Sequence, residues 1–215
     1  MPQPHEIEAC KPVFIAGCGR SGTSFLRTVI DAHPLIYIPS ESLFIVDYLK
    51  HFDHVPEKIA RLLLYYEPQL RCWHKAKPKP VHNISQTIED FHRSEATKKN
   101  AIIWGQKTPR FIRYRNLLER HFGEIKWLLI YRDPRSVAAS MRLSGQHTNS
   151  IKYSTKRWKE DNKDIVNYLN KDLPIDDNVK IVKYEDLINN FDEEIKLIFD
   201  FIGVNTIDRE TIERF

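Results

Sequence analysis

Short apolar runs alternate with segments of helical periodicity along most of this chain. Runs of four to seven residues, a length typical of buried strands, occupy 13–16, 35–38, 101–104, 125–131 and 179–183. Helical spacing predicts helices over 23–32, over 43–66 in two pieces broken near Pro56, over 84–99, 111–122 and 151–169, after Pro134, and over 193–202 before Gly203. The alternation predicts an α/β fold of three layers, with a central, mostly parallel sheet flanked by helices.

The chain length favours a single domain. A chain of 215 residues lies at the upper end of one ordinary domain, so we expect one unit over 1–215. Three prolines between Glu67 and Asn83 predict a loop there. Ligands of parallel sheets bind at the carboxyl ends of the strands, so we expect the chemistry directly after Ala16, Ile38, Trp104 and Tyr131.

Composition narrows the classes of partner. The net charge of +4 suits an anionic ligand but not nucleic acid, and we expect the basic stretch Lys75, Lys77 and Lys79 to be a solvated loop. The three cysteines are scattered and show no CxxC or Cys/His spacing, so we expect no disulfide framework and no metal site. No apolar run reaches the length of a membrane span and residues 1–10 lack a signal-peptide core, so we expect a cytoplasmic protein with no membrane contact.

The first strand leads into a glycine-containing turn typical of phosphate binding. Residues 17–24 read Gly-Cys-Gly-Arg-Ser-Gly-Thr-Ser, with the G-x-x-x-x-G spacing of a P-loop between a strand and a helix. Backbone N–H groups at such a helix N-terminus favour an anion. Candidate ligand-binding residues are therefore Gly19, Arg20, Ser21, Gly22, Thr23 and Ser24, in a P-loop-type fold. Thr23 stands where nucleoside-triphosphate enzymes carry lysine, so a P-loop kinase or NTPase is an alternative that lacks its lysine.

A second candidate anion site follows the strand over 125–131. Arg132 comes where the strand ends, and Ser140 follows two helical turns later. A guanidinium and a hydroxyl at that spacing can both donate to phosphate oxygens. A local salt bridge between Arg132 and Asp133 is the alternative interpretation.

The two motifs together resemble a known family. Gly19–Ser24, followed by a helix and Ala32-His33-Pro34, resembles the 5'-phosphosulfate loop of sulfotransferases that use 3'-phosphoadenosine-5'-phosphosulfate (PAPS). The likeness is strongest to the branch of protein-tyrosine, glycan and bacterial enzymes. Arg132 and Ser140 match the family's site for the ribose 3'-phosphate. The resemblance covers 12–46 and 101–203, and implies transfer of a sulfuryl group from PAPS to an acceptor hydroxyl.

The resemblance also implies roles for individual residues. Glu41, 21 residues after Arg20, matches the general base of the tyrosine-sulfotransferase branch, and partial burial would strengthen it as a base. Lys107 and Arg20 would stabilise the leaving 5'-phosphate. Tyr184 would approach the cofactor, although a core tyrosine at a strand end is an equal alternative. His33 is the second candidate base.

The chain also departs from the family pattern. The tyrosine-sulfotransferase branch places a further arginine at Ser144, for which Arg135 or Arg142 could substitute. The family usually continues beyond the position of Phe215 into a loop that closes over the nucleotide. A non-catalytic protein that binds adenosine 3',5'-bisphosphate (PAP) is therefore a further alternative.

The middle of the chain is the candidate for the acceptor cleft. We expect residues 47–100 to form a helical and loop insertion near the acceptor cleft, with Tyr65, Tyr66, Trp73, His74 and Lys75 as candidate contacts. A carbohydrate, a phenol or a tyrosyl peptide would each suit these residues.

Overall fold

The computed structural model describes residues 10–52, 55–67, 84–145, 150–171 and 176–214. The strands are β1 (Val13–Gly17), β2 (Ile36–Tyr37), β3 (Ile103–Lys107), β4 (Lys126–Tyr131) and β5 (Val179–Lys183). The helices are α1 (Thr23–Asp31), α2 (Leu43–Phe52), α3 (Glu57–Tyr66), α4 (Ile84–Lys98), α5 (Arg115–Phe122), α6 (Pro134–Leu143), α7 (Ile151–Asp161), α8 (Lys163–Leu169), α9 (Tyr184–Asn189), α10 (Phe191–Ile202) and α11 (Arg209–Glu213), with a 3-10 helix over Pro109–Tyr114.

Within the described ranges the strands form one sheet in the order β2-β3-β1-β4-β5. Every pairing among these strands is parallel. In the centre, Ile15 of β1 is level with Lys107 of β3 on one side and with Leu128 of β4 on the other. The predicted fold class, a mostly parallel sheet in an α/β protein, is confirmed.

The two faces of β1 bury two separate cores, because successive side chains of a strand point to opposite faces. Phe14 lies in an aromatic cluster with Trp104 and Trp127, at centroid distances of 5.7 and 5.4 Å, and α2, α4 and α5 cover this face. Val13 and Ile15 face the second core, which α1, α9, α10 and α11 cover. Helices on both faces complete the three layers.

The third strand lies further along the chain than the apolar run 101–104 predicts. Gly105, Gln106 and Lys107 belong to it and pair with β1. A β-carbon at position 105 would lie 2.2 Å from the carbonyl oxygen of Val13, so only glycine lets the two strands approach this closely. The strand therefore carries a polar end, which extends it to the edge where ligands bind.

Two predicted helices are interrupted. The helix expected over 151–169 divides at Asn162, whose φ and ψ of −102° and 9° leave the helical region. The carbonyl of Trp158 accepts from both the backbone N–H of Asn162, at 3.0 Å, and its side-chain amide, at 2.8 Å, so Asn162 closes the end of α7 with two donors. The helix expected over 111–122 begins as the 3-10 helix, and its α-helical part starts at Arg115.

The fit of β3 against β1 predicts the effect of one methyl group. Gly105→Ala should lower the free energy of unfolding by about 1–3 kcal/mol, because the new carbon overlaps the Val13 carbonyl. For a chain of this size that is a fall in Tm of about 2–12 °C, measurable by calorimetry. The control is Gly203→Ala at the left-handed C-cap of α10, where the added carbon meets only the Lys126 ammonium at 3.5 Å. A larger loss at position 203 than at 105 would contradict the prediction.

Candidate active site

The turn between β1 and α1 has the geometry of an anion-binding loop. Gly22 caps α1 in the left-handed region with φ of 98°, and Arg20 is left-handed as well at 72°. A β-carbon at Gly22 would lie 2.4 Å from the ring of Tyr184, so both the backbone and the packing require glycine there. The first N–H groups of α1 open toward the carboxyl edge of the sheet, where the helix dipole favours an anion.

A cleft of about 470 Å³ lies at this edge of the sheet. Eight of the sequence-predicted residues line it: Gly19, Arg20, Gly22, Thr23, Ser24, Glu41, Arg132 and Ser140. Among the described residues, Leu43, Pro109, Arg110 and Arg157 line it as well. The segments that directly follow β1, β2, β3 and β4 thus meet at one cleft, as expected for parallel strands.

The two candidate anion-binding elements are in direct contact. Arg20 donates from Nε to the hydroxyl of Ser140 at 3.0 Å, across 120 positions of sequence. The contact joins the turn after β1 to the helix after β4. A single ligand with two anionic groups can therefore reach both elements.

Arg132 is supported from two sides. Its guanidinium carbon lies 4.2 Å from the ring centroid of Tyr184, and the indole of Trp158 donates to its carbonyl oxygen at 2.9 Å. Tyr184 therefore lies behind both Gly22 and Arg132, rather than in the lining of the cleft. The stacking restrains the guanidinium at the end of β4.

Asp133 pairs with Arg135 and not with Arg132. The carboxylate caps α6 by accepting from the backbone N–H of Arg135 at 2.8 Å, and it accepts from that guanidinium at 2.7 Å. Hydrogen bonds from the Arg135 side chain and then from its backbone hold the pKa of Asp133 well below its usual range. The Arg135 side chain is 90% exposed, and Arg142 is exposed too. Neither takes a place in the lining of the cleft.

Glu41 and Lys107 form an ion pair beside the phosphate loop. The ammonium of Lys107 lies 2.8 Å from a carboxylate oxygen of Glu41 and donates to the hydroxyl of Ser24 at 3.3 Å. The lysine side chain is 5% exposed and the glutamate side chain 41%, so the carboxylate faces the solvent side of the cleft. Glu41 as a whole residue is of intermediate burial.

A buried polar chain fixes the segments that carry this ion pair. The hydroxyl of Ser42 donates to Gln106, whose amide in turn bonds to Nε2 of His92. Nδ1 of His92 lies 2.6 Å from the carbonyl of Ile88, which can only accept, so Nδ1 carries the hydrogen and Nε2 accepts from the amide. Ser42 follows Glu41 and Gln106 precedes Lys107, so one network restrains both neighbours.

Besides Tyr184 and Lys107, two further predicted residues lie outside the lining. Ser21 is fully buried beneath the loop. His33 is buried at the carboxyl end of α1, bonded through Nε2 to the carbonyl of Asn205 at 2.9 Å and through Nδ1 to the N–H of Leu35 at 3.1 Å. A helix of nine residues is about 13 Å long, so the phosphate loop lies at the opposite end from His33. This position does not favour His33 as the base.

Sequence reasoning missed a cluster of charged residues on α7. Arg157 lines the cleft, and the carboxylate of Asp161 lies beneath it, in contact with Arg113 and with the thiol of Cys18. Burial, followed by the neighbouring Asp161 charge, raises the pKa of Cys18 to about 12, so this thiol stays protonated. These residues belong to no motif. The spacing of Arg157 and Asp161, four positions apart in a helix, is the one sequence signal that could have suggested an ion pair.

The region predicted to hold the acceptor is only partly described. Helices α2 and α4 pack into the first core through residues such as Leu49, Ile88 and Phe91. Trp73, His74, Lys75, Lys77 and Lys79 lie outside the described residues, as does the predicted loop from 68 to 83. The acceptor cleft therefore stays a prediction.

Neither a membrane-crossing helix nor a metal-binding cluster occurs in the described part of the chain. None of the helices there is long and apolar enough to cross a bilayer. Groups of three or more His, Cys, Asp or Glu side chains placed to hold a metal ion are likewise absent from those ranges.

Comparison with known proteins assigns the fold to a family. The profile of the sulfotransferase family matches residues 12–208. The chain belongs to the sulfotransferase family. The resemblance seen in the sequence is thereby confirmed, and sulfuryl transfer is favoured over the kinase or NTPase alternative. A comparison with curated proteins gives no match.

Solved sulfotransferase structures share the fold. The sulfotransferase domain of the olefin synthase of Synechococcus PCC 7002 superimposes with a TM-score of 0.64 at 23% identity, covering 98% of this chain and 80% of that one. The sulfotransferase domain from the curacin biosynthetic pathway gives 0.62 at 18% identity, covering 94% and 76%. A sulfotransferase from Alicyclobacillus acidocaldarius gives 0.53 at 16% identity, covering 96% and 90%. At these identities the likeness establishes the fold, and the roles of individual residues rest on their geometry.

The position of His33 in this sulfotransferase predicts a dependence of stability on pH. Burial lowers the pKa of the ring, so the unfolded chain, with a pKa near 6.5, binds the proton first. The free energy of unfolding should therefore decrease as the pH falls below 6.5. In His33→Asn, whose side chain can still accept from the N–H of Leu35, this decrease should be smaller. Tm measured over a pH series tests this; equal slopes in both proteins would refute it.

Proposed function

We propose that this protein transfers the sulfuryl group of PAPS to an acceptor hydroxyl. The observation that carries the proposal is the contact between Arg20 and Ser140, which joins two anion-binding elements in one cleft. The ion pair of Glu41 and Lys107 lies beside one of them. The two anion-binding elements suit a donor that carries phosphates at the 3' and 5' positions of its ribose. The ion pair suits an acceptor hydroxyl that must lose a proton.

The charges lining the cleft fit a polyanionic donor. Among the described residues, four arginines line it against one carboxylate, that of Glu41. In the proposed complex the N–H groups at the start of α1 and Arg20 hold the 5'-phosphosulfate. Arg132 and Ser140 hold the 3'-phosphate, and the planar guanidinium suits the phosphate oxygens.

The proposed reaction is a direct transfer. The acceptor oxygen forms a bond to sulfur while the bond between sulfur and the 5'-phosphate oxygen breaks, and the acceptor proton passes to the Glu41 carboxylate. The products are a sulfate ester and PAP. Negative charge grows on the 5'-phosphate oxygen, where Arg20, Lys107 and the loop N–H groups stabilise it.

Lys107 connects the two halves of this chemistry. It contacts the proposed base and the hydroxyl of Ser24 in the phosphate loop at the same time. Because the lysine is buried on a rigid strand, it holds the base at a fixed distance from the donor. The acceptor hydroxyl would belong to a carbohydrate, a phenol or a tyrosyl peptide.

Donor binding is tested with a pair of arginines three positions apart. Arg132→Gln should weaken PAP binding by about 10- to 100-fold, because a hydrogen bond to a charged group is lost in the cleft. Arg135→Gln, which removes the same charge from an exposed site, should change it by less than about 3-fold. Isothermal titration with PAP measures both. Wild-type protein that ignores PAP but binds ATP with magnesium would support the kinase alternative instead.

The base is tested with a substitution that conserves shape. Glu41→Gln should cut the turnover of PAPS by about 10²- to 10⁴-fold, because it removes the proton acceptor. PAP binding should stay within a few-fold, because the amide oxygen of glutamine can still accept from Lys107. Glu124→Gln, at an exposed ion pair with Lys11, is the control. Transfer from radiolabelled PAPS to carbohydrate, phenol and tyrosyl-peptide acceptors provides the readout. Binding of PAP without transfer to any acceptor class would favour the non-catalytic alternative.

A further inference from the structure

Helix α7 meets both proposed anion sites, although neither motif includes it. Trp158 donates to the carbonyl of Arg132, at the end of β4. One residue earlier, Arg157 reaches the lining of the cleft. One turn later, Asp161 contacts the thiol of Cys18 in the turn after β1. The helix thus spans the gap between the two sites.

Arg157 lies against the phosphate loop itself. Its terminal Nη2 is 3.4 Å from the position that a β-carbon on Gly19 would take. The guanidinium therefore packs over the part of the loop where glycine leaves the backbone accessible. Its side chain is 24% exposed and contributes to the lining of the cleft. An anion held by the loop would lie within reach of this fork.

Asp161 is the ion-pair partner of Arg157 on the same helix. The carboxylate is 3% exposed and lies between two arginines, with Nε of Arg157 at 3.6 Å and Arg113, from the 3-10 helix, in close contact. A charge buried this deeply is unfavourable unless it is paired, so the arrangement is strongly restrained. Two guanidinium groups share one carboxylate, and the cluster keeps a net positive charge beside the cleft.

The pair of Arg157 and Asp161 differs from an ion pair that only stabilises a helix surface. Pairs of residues four apart on a helix commonly face solvent and contribute little. This pair points inward, shares its carboxylate with a second element, and presents its guanidinium to the cleft that holds Arg20 and Arg132. Its geometry is that of a restrained binding group.

We propose that Arg157 binds the 5'-phosphosulfate end of the donor beside Gly19, and that Asp161 is the positioning residue that aims it. This assignment rests on the proposed function. It adds a third donor-binding arginine, from a helix outside both motifs, to Arg20 in the phosphate loop and Arg132 directly after β4.

The first experiment compares two cations on the same helix. Arg157→Gln should weaken PAP binding by about 10- to 100-fold in isothermal titration. Lys159→Gln removes the same charge from an exposed position two residues on, and should change binding by less than about 3-fold. In competition titrations the loss at position 157 should appear with adenosine 5'-monophosphate and be absent with adenosine 3'-monophosphate. Equal losses with both monophosphates would overturn the assignment to the 5' end.

The second experiment separates positioning from net charge. Asp161→Asn removes a negative charge near the cleft, which by electrostatics alone would tighten the binding of an anion. If Asp161 aims Arg157, the substitution weakens PAP binding instead, and adds little to the loss already present in Arg157→Gln. Tm of each variant without ligand shows whether the fold is intact. Tighter binding by Asp161→Asn, or full additivity in the double variant, would refute the positioning role.

Failure of this inference is distinguishable from failure of the proposed function. If wild-type protein binds PAP and Arg132→Gln weakens it, while Arg157→Gln binds like wild type, then only the role of Arg157 is wrong. If wild-type protein does not bind PAP, the proposed function itself is wrong, and the assignment of Arg157 fails with it.

Discussion

The placement of β1 between β3 and β4 is the constraint on which the site depends. All five residues of β1 are buried, and the strand pairs in parallel on both sides. Parallel pairing brings the carboxyl ends of β1, β3 and β4 to one edge of the sheet. The turn after β1, Lys107 and Arg132 therefore meet there. The approach is close: a β-carbon on Gly17 would lie 2.2 Å from the carbonyl oxygen of Ile130, so glycine is required where the strand passes into the loop.

The site combines buried charges with exposed ones, and each buried charge has a partner. Lys107 is paired with Glu41, and Asp161 with Arg113 and Arg157. Because an unpaired charge in the interior is strongly unfavourable, these pairs restrain the side chains around the cleft. The neutral chain from Ser42 through Gln106 to His92 adds further rigidity from within the first core. The cleft is thus framed by groups that the interior holds in place.

The sequence predicted those parts of the molecule that local patterns determine. Apolar runs located the strands, and the glycines together with the Arg132–Ser140 spacing indicated most of the residues that line the cleft. It failed where a tertiary contact overrides the local pattern. Gln106 and Lys107 look like the start of a loop, yet pairing with β1 makes them strand. Arg157 lies in a polar helix where nothing distinguishes it from Lys156 or Lys159, and only the folding of α7 against the phosphate loop gives it a place in the cleft.

The unequal exposure of Lys107 and Glu41 has a consequence for how the catalytic cycle would close. The lysine side chain is 5% exposed and the glutamate side chain 41%. In the proposed reaction the carboxylate that receives the acceptor proton is therefore already in contact with bulk water. It can return to its starting state by releasing that proton directly to solvent once the sulfated product leaves, so the interior of the fold does not have to supply a proton-conducting path.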